Sequence, residues 1–139
     1  MAVHTGNIEC KTEGNGDTVD LTADAARVVE ESGFESGVLS LFVSGSTAAL
    51  TTIEFEPGAV SDFARLLEEV APRDREYRHH LRWGDDNGHA HVRAALVGPD
   101  LTVPFVDRKL TLGTWQQIIL CDFDTRPRTR RIVAQVVGV

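Results

Sequence analysis

The sequence has few of the residues that identify several protein classes. It contains two cysteines in 139 residues, and Cys10 and Cys121 lie too far apart to form a metal-type spacing. We therefore expect reduced, partly buried thiols. No apolar run approaches the roughly 20 residues that cross a bilayer. The first residues also lack the basic patch and apolar core of a signal peptide. These absences favour a cytoplasmic protein that does not bind membranes.

Lysine is scarce as well, and acidic residues outnumber basic ones. Lys11 and Lys109 are the lysines among 14 basic residues, which face 21 acidic residues and leave a net charge of −7. Nucleic acids and anionic lipids attract basic surfaces, so neither is an expected partner. The length and the apolar fraction of 42% suit one domain over residues 1–139, built around one core.

Apolar periodicity and turn residues predict an α+β fold, a compact single domain with a mainly antiparallel β-sheet core and a few helices. Strands joined by short turns dominate the C-terminal half, which argues against a parallel β-α-β alternation. The predicted strands cover 5–11, 37–43, 48–56, 101–106, 110–123 with a break at Gly113, and 131–137. The predicted helices run from Thr22 to about Ser32, from Pro57 to Pro72, and from Asn87 to Val97.

Histidines and carboxylates are concentrated in one short segment. Four of the five histidines and two aspartates lie within fifteen residues: His79, His80, His89, His91, Asp85 and Asp86. Imidazoles and carboxylates bind metals or move protons near neutral pH. Each histidine by itself could be a surface or capping residue, but together with the aspartates the group favours a functional site.

Helical geometry restricts which of these histidines can act together. His89 and His91 are two residues apart on a predicted helix, so they point in different directions and cannot both bind one metal. His91 then needs a partner from elsewhere, and His79 is the natural candidate. We therefore expect His79 and His91 to lie close together.

Three polar or aromatic features outside this segment are further candidates. The Ser44–Ser46 loop lies between two strands, and Ser46 and Thr47 could offer hydroxyl and N–H groups to an anion, although a plain turn explains the same residues. Arg130 belongs to a cationic segment that could bind phosphate or pair with a neighbouring subunit. Trp115 could line a ligand pocket or fill the core.

Glu54 and Glu56 flank Phe55 in the strand predicted over 48–56. Alternate residues of a strand share a face, so both carboxylates would point the same way. That acidic face could be solvated or functional, and the sequence leaves both interpretations open.

Several short motifs resemble those of one known family over nearly the whole chain. They are Gly45–Thr51 with Glu54, Tyr77-Arg78-His79, Asp85-Asp86-Asn87, His91, Leu96-Val97-Gly98, Pro104, Leu112-Gly113-Thr114-Trp115-Gln116, Arg128-Thr129-Arg130 and Gly138. With these motifs the sequence resembles the YjbQ-like family, also called secondary thiamine-phosphate synthase enzymes. The resemblance implies a compact α+β homotrimer whose histidines lie in a pocket near the subunit interface.

The resemblance also implies an activity, a weak coupling of a pyrimidine-methyl diphosphate to a thiazole phosphate. For this reaction the predicted catalytic residues are His79, His91, Glu54 and Asp86. Together with the helical geometry, the resemblance predicts that His79 and His91 lie close together, with Glu54 or Asp86 nearby. The predicted substrate-binding residues are Ser46, Thr47, Trp115, Gln116 and Arg130. His79 and His91 are also the candidate ligands of a divalent metal, Mg²⁺ or Zn²⁺.

The alternative is a module that binds a small molecule or a metal without turnover of its own. In either case the expected partners are a small phosphorylated molecule and two further copies of the chain. One departure concerns Gly45, because many members of the family carry a histidine at that position.

Overall fold

The computed structural model describes the whole chain except the side chains of residues 81–83. Its elements, in chain order, are β1 (Ala2–Thr12), β2 (Asp17–Asp20), α1 (Thr22–Ser32), β3 (Gly37–Val43), β4 (Ala48–Ile53), α2 (Pro57–Val70), α3 (Arg78–Trp83), α4 (Gly88–Val97), β5 (Asp100–Val106), β6 (Lys109–Leu110), β7 (Gln117–Asp122) and β8 (Arg128–Gly138).

The strands form two sheets in which neighbouring strands run antiparallel. The larger sheet has the order β1-β8-β3-β5-β6, and the smaller one has the order β2-β7-β4. The predicted α+β class with antiparallel strands is confirmed. Because a hydrophobic core lies between two sheets, the chain is layered rather than built on one sheet.

The main core lies between the inner face of the larger sheet, the smaller sheet and α1. Leu39 and Leu41 of β3 meet Ile118 and Leu120 of β7 in this core, together with Val28 of α1. A second core lies on the other face of the smaller sheet, where α2 and α4 pack. The smaller sheet is therefore covered on both faces, which explains the continuous apolar run along β7.

Two predicted strands differ from the structure. Residues 110–123 are not one strand, because a turn in which Gln116 N donates to Gly113 O (3.1 Å) separates β6 from β7. The strand predicted over 48–56 ends at Ile53, because Glu56 is the N-cap of α2. In β3 the alternate residues Val38, Ser40 and Phe42 point away from the core. The short elements β2 and α3 were not predicted, since four to six residues carry too little periodicity.

Helix boundaries follow the predicted signals closely. Helix α1 ends at Gly33, which adopts the left-handed conformation (φ 72°), and α2 begins at Pro57. In the described part of the chain, no helix is long and apolar enough to span a membrane.

Candidate functional site

Helices α3 and α4 bring two histidines into contact. The ring centroids of His79 and His91 are 4.3 Å apart, and the ring planes are tilted by 46°. His79 Nε2 also lies 3.3 Å from Asp85 Oδ1. The predicted approach of His79 and His91 is confirmed, and the neighbouring carboxylate on this side is Asp85.

The surroundings of His91 favour its neutral form. Burial is the largest cause that lowers its pKa, and the nearby His79 lowers it further, while Asp124 and Asp85 oppose both effects. A histidine with a pKa below its ordinary value is uncharged at neutral pH. His91 can therefore accept a proton or donate a neutral hydrogen bond.

A buried ion-pair network lies at the end of β7 and the start of β8. Arg130 Nε donates to Asp122 Oδ2 (2.7 Å), and Arg130 Nη2 donates to Asp122 Oδ1 (2.8 Å), which makes the pair bidentate. Thr12 Oγ1 donates to the same carboxylate at 2.6 Å. Burial opposes ionisation of Asp122, but Arg130 and Thr12 together lower its pKa. Asp122 is therefore held as an anion that fixes the Arg130 guanidinium.

Thr47 links this ion pair to a second buried carboxylate. Its hydroxyl accepts from Arg130 Nη2 (2.7 Å) and donates to Asp124 Oδ2 (2.9 Å). Arg128 Nη2 donates to the same oxygen of Asp124 at 2.7 Å. Burial opposes ionisation of Asp124, yet hydrogen bonds from Thr125 N, Thr47 and Asn87, with the charge of Arg128, lower its pKa to about 2. The Thr47 hydroxyl thus both donates and accepts within the network.

Asn87 connects the network to α4. It occupies the N-cap position, but its side chain makes no capping bond and instead donates from Nδ2 to Asp124 Oδ1 at 3.4 Å. Its Oδ1 atom is buried and has no partner in the described part of the chain. Buried polar atoms are rarely left unpaired, so Asn87 is a candidate ligand-binding group.

One edge of the Arg130 guanidinium faces the Gly45–Ser46 loop. Nη1 takes part in no hydrogen bond among the described residues, and a Cβ added to Gly45 would lie 2.7 Å from it. A cleft of about 360 Å³ opens beside this loop, lined by Gly45, Ser46, Ala48, His91, Ala94, Ala95 and Pro99. The absence of a side chain at residue 45 therefore leaves Nη1 open on the loop that borders the cleft.

Comparison with known proteins identifies the family. The model of the UPF0047 protein YjbQ-like family matches residues 6–139. The chain belongs to this family. A UPF0047 protein of Methanothermobacter thermautotrophicus is 36% identical over 138 residues, which cover 99% of this chain and 94% of that protein. A UPF0047 protein of Archaeoglobus fulgidus is 34% identical over 127 residues, covering 91% of this chain and 96% of that one.

Solved structures agree with this assignment. A YbjQ-like protein of unknown function from Sulfolobus solfataricus has a TM-score of 0.94 and 33% identity, with 99% of each chain covered. A hypothetical protein from Aeropyrum pernix has a TM-score of 0.90 and 29% identity, covering 98% of this chain and 99% of that one. The chain is therefore a YjbQ-like α+β protein, in a family whose function has not been characterised.

The predicted site residues of this YjbQ-like protein fall into two separate groups. Antiparallel pairing places Ala48 of β4 opposite Asp122, and Ile53 opposite Gln117. The two ends of this pairing are roughly 17 Å apart, at about 3.4 Å per residue. Ser46, Thr47 and the histidine pair belong to the Ala48 end. Glu54 follows Ile53 at the other end, so the prediction that it lies beside the histidines is wrong within one chain.

Trp115 and Gln116 lie in the turn before β7, also at the far end. The Trp115 side chain is 73% exposed, so it neither fills the core nor faces the histidines of its own chain. Gln116 Nε2 donates to Thr52 Oγ1 (3.0 Å), and its Oε1 accepts from Gly113 N (3.1 Å). Gln116 therefore stabilises the turn.

The other members of the histidine segment serve different surfaces. His80 Nε2 accepts from Gly88 N (3.4 Å) and supports the start of α4. Asp86 lines a separate shallow pocket with His80 and Arg75, so Asp85 takes the position beside His79 that was predicted for Asp86. His89 lines a pocket on the opposite side of α4 from His91.

The residues present do not assemble a metal centre by themselves. Among the described residues, no three or more His, Cys, Asp or Glu side chains are arranged to hold a metal ion. Catalytic zinc sites use three protein ligands, whereas His79 and His91 supply two. Asp85 is nearby, but its carboxylate is paired with His79.

Sequence reasoning missed the carboxylates at the centre of the network. Asp122 and Asp124 flank Phe123 in the sequence, directly after the apolar run of β7. Two acidic residues at the end of a strand that is buried on both faces were the available signal, because such carboxylates require buried partners. Arg128 and Arg130 are those partners, and they belong to strand β8 instead of a cationic loop.

Proposed function

We propose that this protein binds a small phosphorylated molecule in the cleft beside the Gly45–Ser46 loop and uses it in a transferase reaction. The observation that carries the proposal is that a neutral imidazole lines the cleft, while a guanidinium edge and free backbone N–H groups lie at the loop that borders it. His91 lines the cleft, and Arg130 Nη1 faces the loop that borders it.

The loop offers donors that suit phosphate oxygens. The N–H groups of Ser46 and Thr47 donate no hydrogen bond among the described residues. Successive free N–H groups in a turn form anion-binding concavities. Arg130 Nη1 adds a charge-assisted donor whose direction is fixed by Asp122. The two carboxylates Asp122 and Asp124 neutralise the charges of Arg128 and Arg130. The network would therefore help to bind phosphate through aligned hydrogen-bond donors and not through a net positive charge.

The family resemblance supplies the reaction. The bond between the methylene carbon and the diphosphate oxygen breaks, the carbon bonds to the thiazole nitrogen, and diphosphate leaves with the electron pair. Donors that hold the leaving group stabilise the charge that develops on it. Ser46 N–H, Thr47 N–H and Arg130 Nη1 would hold the diphosphate, and neutral His91 would donate a further hydrogen bond.

A divalent metal is a separate part of the proposal. His79 and His91 would supply two ligands to Zn²⁺, and water or phosphate oxygens would complete the shell; Mg²⁺ would instead arrive with the diphosphate. No step depends on a metal. If the histidines bind one, chelator lowers the melting temperature at pH 8 and does so less at pH 5, where imidazoles are protonated.

Binding without turnover is the second candidate function. Neither thiol serves as a nucleophile, because both are buried and burial raises the pKa of Cys121 to about 12. The Ser46 hydroxyl lines the cleft, and it makes no hydrogen bond with a described residue that would activate it. The same donors would then hold a phosphorylated ligand without transforming it.

The deciding experiment measures turnover and binding separately. Purified protein is supplied with the pyrimidine-methyl diphosphate and the thiazole phosphate, and thiamine phosphate is quantified; diphosphate binding is measured by calorimetry. We expect saturable turnover that falls by about a hundredfold in His91→Ala and persists in His4→Ala, which removes the histidine outside the segment. Gly45→Ala should weaken diphosphate binding, because its Cβ displaces Arg130 Nη1.

Diphosphate binding without turnover would select the binding module. Absence of both binding and turnover would overturn the proposed function.

A further inference from the structure

A second pocket lies on the opposite side of α4 from the cleft. It has a volume of about 230 Å³ and lies between α2, α4 and the turn before β2. Its wall is apolar and includes Phe63, Leu67 and Phe123, while His89, Arg73 and Arg93 supply polar groups. Enclosed pockets with an apolar wall and a few converging polar groups are typical of small-molecule sites.

His89 is the unusual residue of this pocket. It is 2% exposed, and its Nδ1 atom is buried without a partner in the described part of the chain. Nε2 makes no hydrogen bond with the described residues either. A buried polar group without a hydrogen bond costs roughly 1–3 kcal/mol. Of the two ring nitrogens, Nε2 is the one that a ligand in the pocket can reach, since Nδ1 is fully buried.

The charged residues around the pocket favour an anion. Arg93 is held in place by Ala71 O (2.9 Å) and by Glu68 Oε2 (2.6 Å). Arg73 also lines the pocket, and its guanidinium makes no ion pair among the described residues. The lining residues thus carry two guanidinium groups and one carboxylate, a net charge of +1, in a protein whose net charge is −7.

The volume limits the size of the ligand. An apolar cavity of roughly 150 Å³ accommodates benzene, so 230 Å³ has room for one ring with small substituents. We propose that this pocket binds a small organic anion with a single ring, which packs against Phe63, Leu67 and Phe123, pairs with Arg73 and hydrogen-bonds His89.

This site is independent of the phosphate cleft. His89 and His91 are two residues apart on α4, so they face different sides of the helix and line different pockets. Binding at the His89 pocket can therefore be measured even if phosphate binding at the cleft is lost. It should be unchanged in His91→Ala.

The test uses 4-hydroxybenzoate as the probe, because it combines one ring, a carboxylate and a hydroxyl group. Titration is followed by amide chemical shifts of the full chain, with uncharged 4-hydroxybenzamide as the matched ligand. We expect saturable shifts at residues of the pocket and about tenfold weaker binding of the amide.

Two substitutions locate the site. Arg73→Ala should weaken binding of 4-hydroxybenzoate about tenfold, whereas Arg65→Ala, which removes an exposed arginine of α2 outside the pocket, should not. His89→Leu should weaken binding by a similar factor, provided that its circular dichroism spectrum matches the native one. Arg73 lies at the surface, so Arg73→Ala remains informative if His89→Leu fails to fold.

Two results would overturn the inference. One is the absence of saturable shifts at the pocket up to about 10 mM probe. The other is equal binding of the acid and the amide, or equal binding to the native protein and Arg73→Ala, because the anion would then have no specific partner in the pocket.

Discussion

At the scale of single residues, Asp122 fixes the Arg130 guanidinium beside the Gly45–Ser46 loop. Both of its oxygens accept from Arg130, and Thr12 adds a third hydrogen bond. The Arg130 side chain is buried, so it depends on this carboxylate for charge compensation. Removing one member of a buried ion pair leaves an uncompensated charge, which costs more than the intact pair contributes.

Asp122→Asn should therefore lower the free energy of unfolding by about 3 kcal/mol. The matched control is Asp62→Asn, which removes an exposed carboxylate 3.3 Å from Arg65. Exposed pairs contribute about 0–1 kcal/mol, so the control should differ little from the native chain. Urea unfolding followed by circular dichroism measures both. Equal effects of the two substitutions would contradict the structural role given to Asp122.

The histidine contact predicts a pKa pattern that NMR can measure. His91 should titrate below its ordinary value of 6.5, because burial and His79 disfavour its charged form. His79→Ala should raise the pKa of His91, and Asp85→Asn should lower it further, because Asp85 favours the charged form. A His91 midpoint that neither substitution moves would show that the electrostatic contact is absent in solution.

The same shift has a consequence for stability. The pKa of His91 is lower in the folded chain than in the unfolded one. Neutral His91 therefore contributes fully to the free energy of unfolding above about pH 6.5. That contribution is lost as the pH falls through the folded-state pKa, because the unfolded chain then binds more protons.

At the scale of elements, α4 and the β4–β7 pair organise the functional surfaces. Helix α4 presents His91 to one cleft and His89 to another, because its residues point in different directions around the axis. The antiparallel pairing of β4 with β7 keeps Glu54 and Trp115 at the end away from the histidines. Any role for Glu54 or Trp115 in catalysis would require a neighbouring copy of the chain.

Glu56 has a structural role at the start of α2 that differs from the predicted acidic strand face. Its carboxylate accepts from the N–H groups of Gly58 and Ala59, and it lies at the positive end of the helix dipole. Glu56→Ala should cost about 1 kcal/mol of stability, as the loss of an N-cap does. Glu54→Ala, two residues earlier and exposed, should change stability by less than about 0.5 kcal/mol. Thermal unfolding compares the two, and a reversed order would refute the capping role.

At the scale of the whole molecule, the outer face of the larger sheet exposes apolar side chains. Cross-strand pairing sets Val3, Val137, Val38 and Pro104 in one row across four strands. Phe42, which is 49% exposed, pairs with Val133 in a second row. A polar row with Ser40, Thr102 and Gln135 lies between the two. Exposed apolar side chains on a sheet face are typical of surfaces that bind another protein.

We predict that this face mediates a homotrimer, with the number three supplied by the family resemblance. Sedimentation should give a trimer at micromolar concentration, and the double variant Val38→Asp with Phe42→Asp should dissociate it. The control is Leu66→Asp, which places the same charge at an exposed apolar residue of α2. A native monomer, or a trimer that survives the double substitution, would exclude this face as the interface.

Local patterns in the sequence were sufficient for the α+β class and for most elements. Gly33 and Pro57 end and begin helices where their backbone preferences require it. Local geometry also excluded His89 as the partner of His91, since a helix cannot direct residues two apart to the same point; the choice of His79 rested in addition on the family resemblance. These properties depend on φ/ψ preferences and side-chain period, which act over a few residues.

The polar network and the separation of the candidate residues were decided by tertiary structure alone. Thr47, Asp122 and Arg130 come from three segments, and strand pairing together with sheet packing brings them into contact. The same pairing register keeps Glu54 away from the histidines, and His89 is buried where α4 faces the pocket shared with α2. Short-range preferences carry no information about such contacts, because register and layer packing depend on the burial of apolar faces that are distant in sequence.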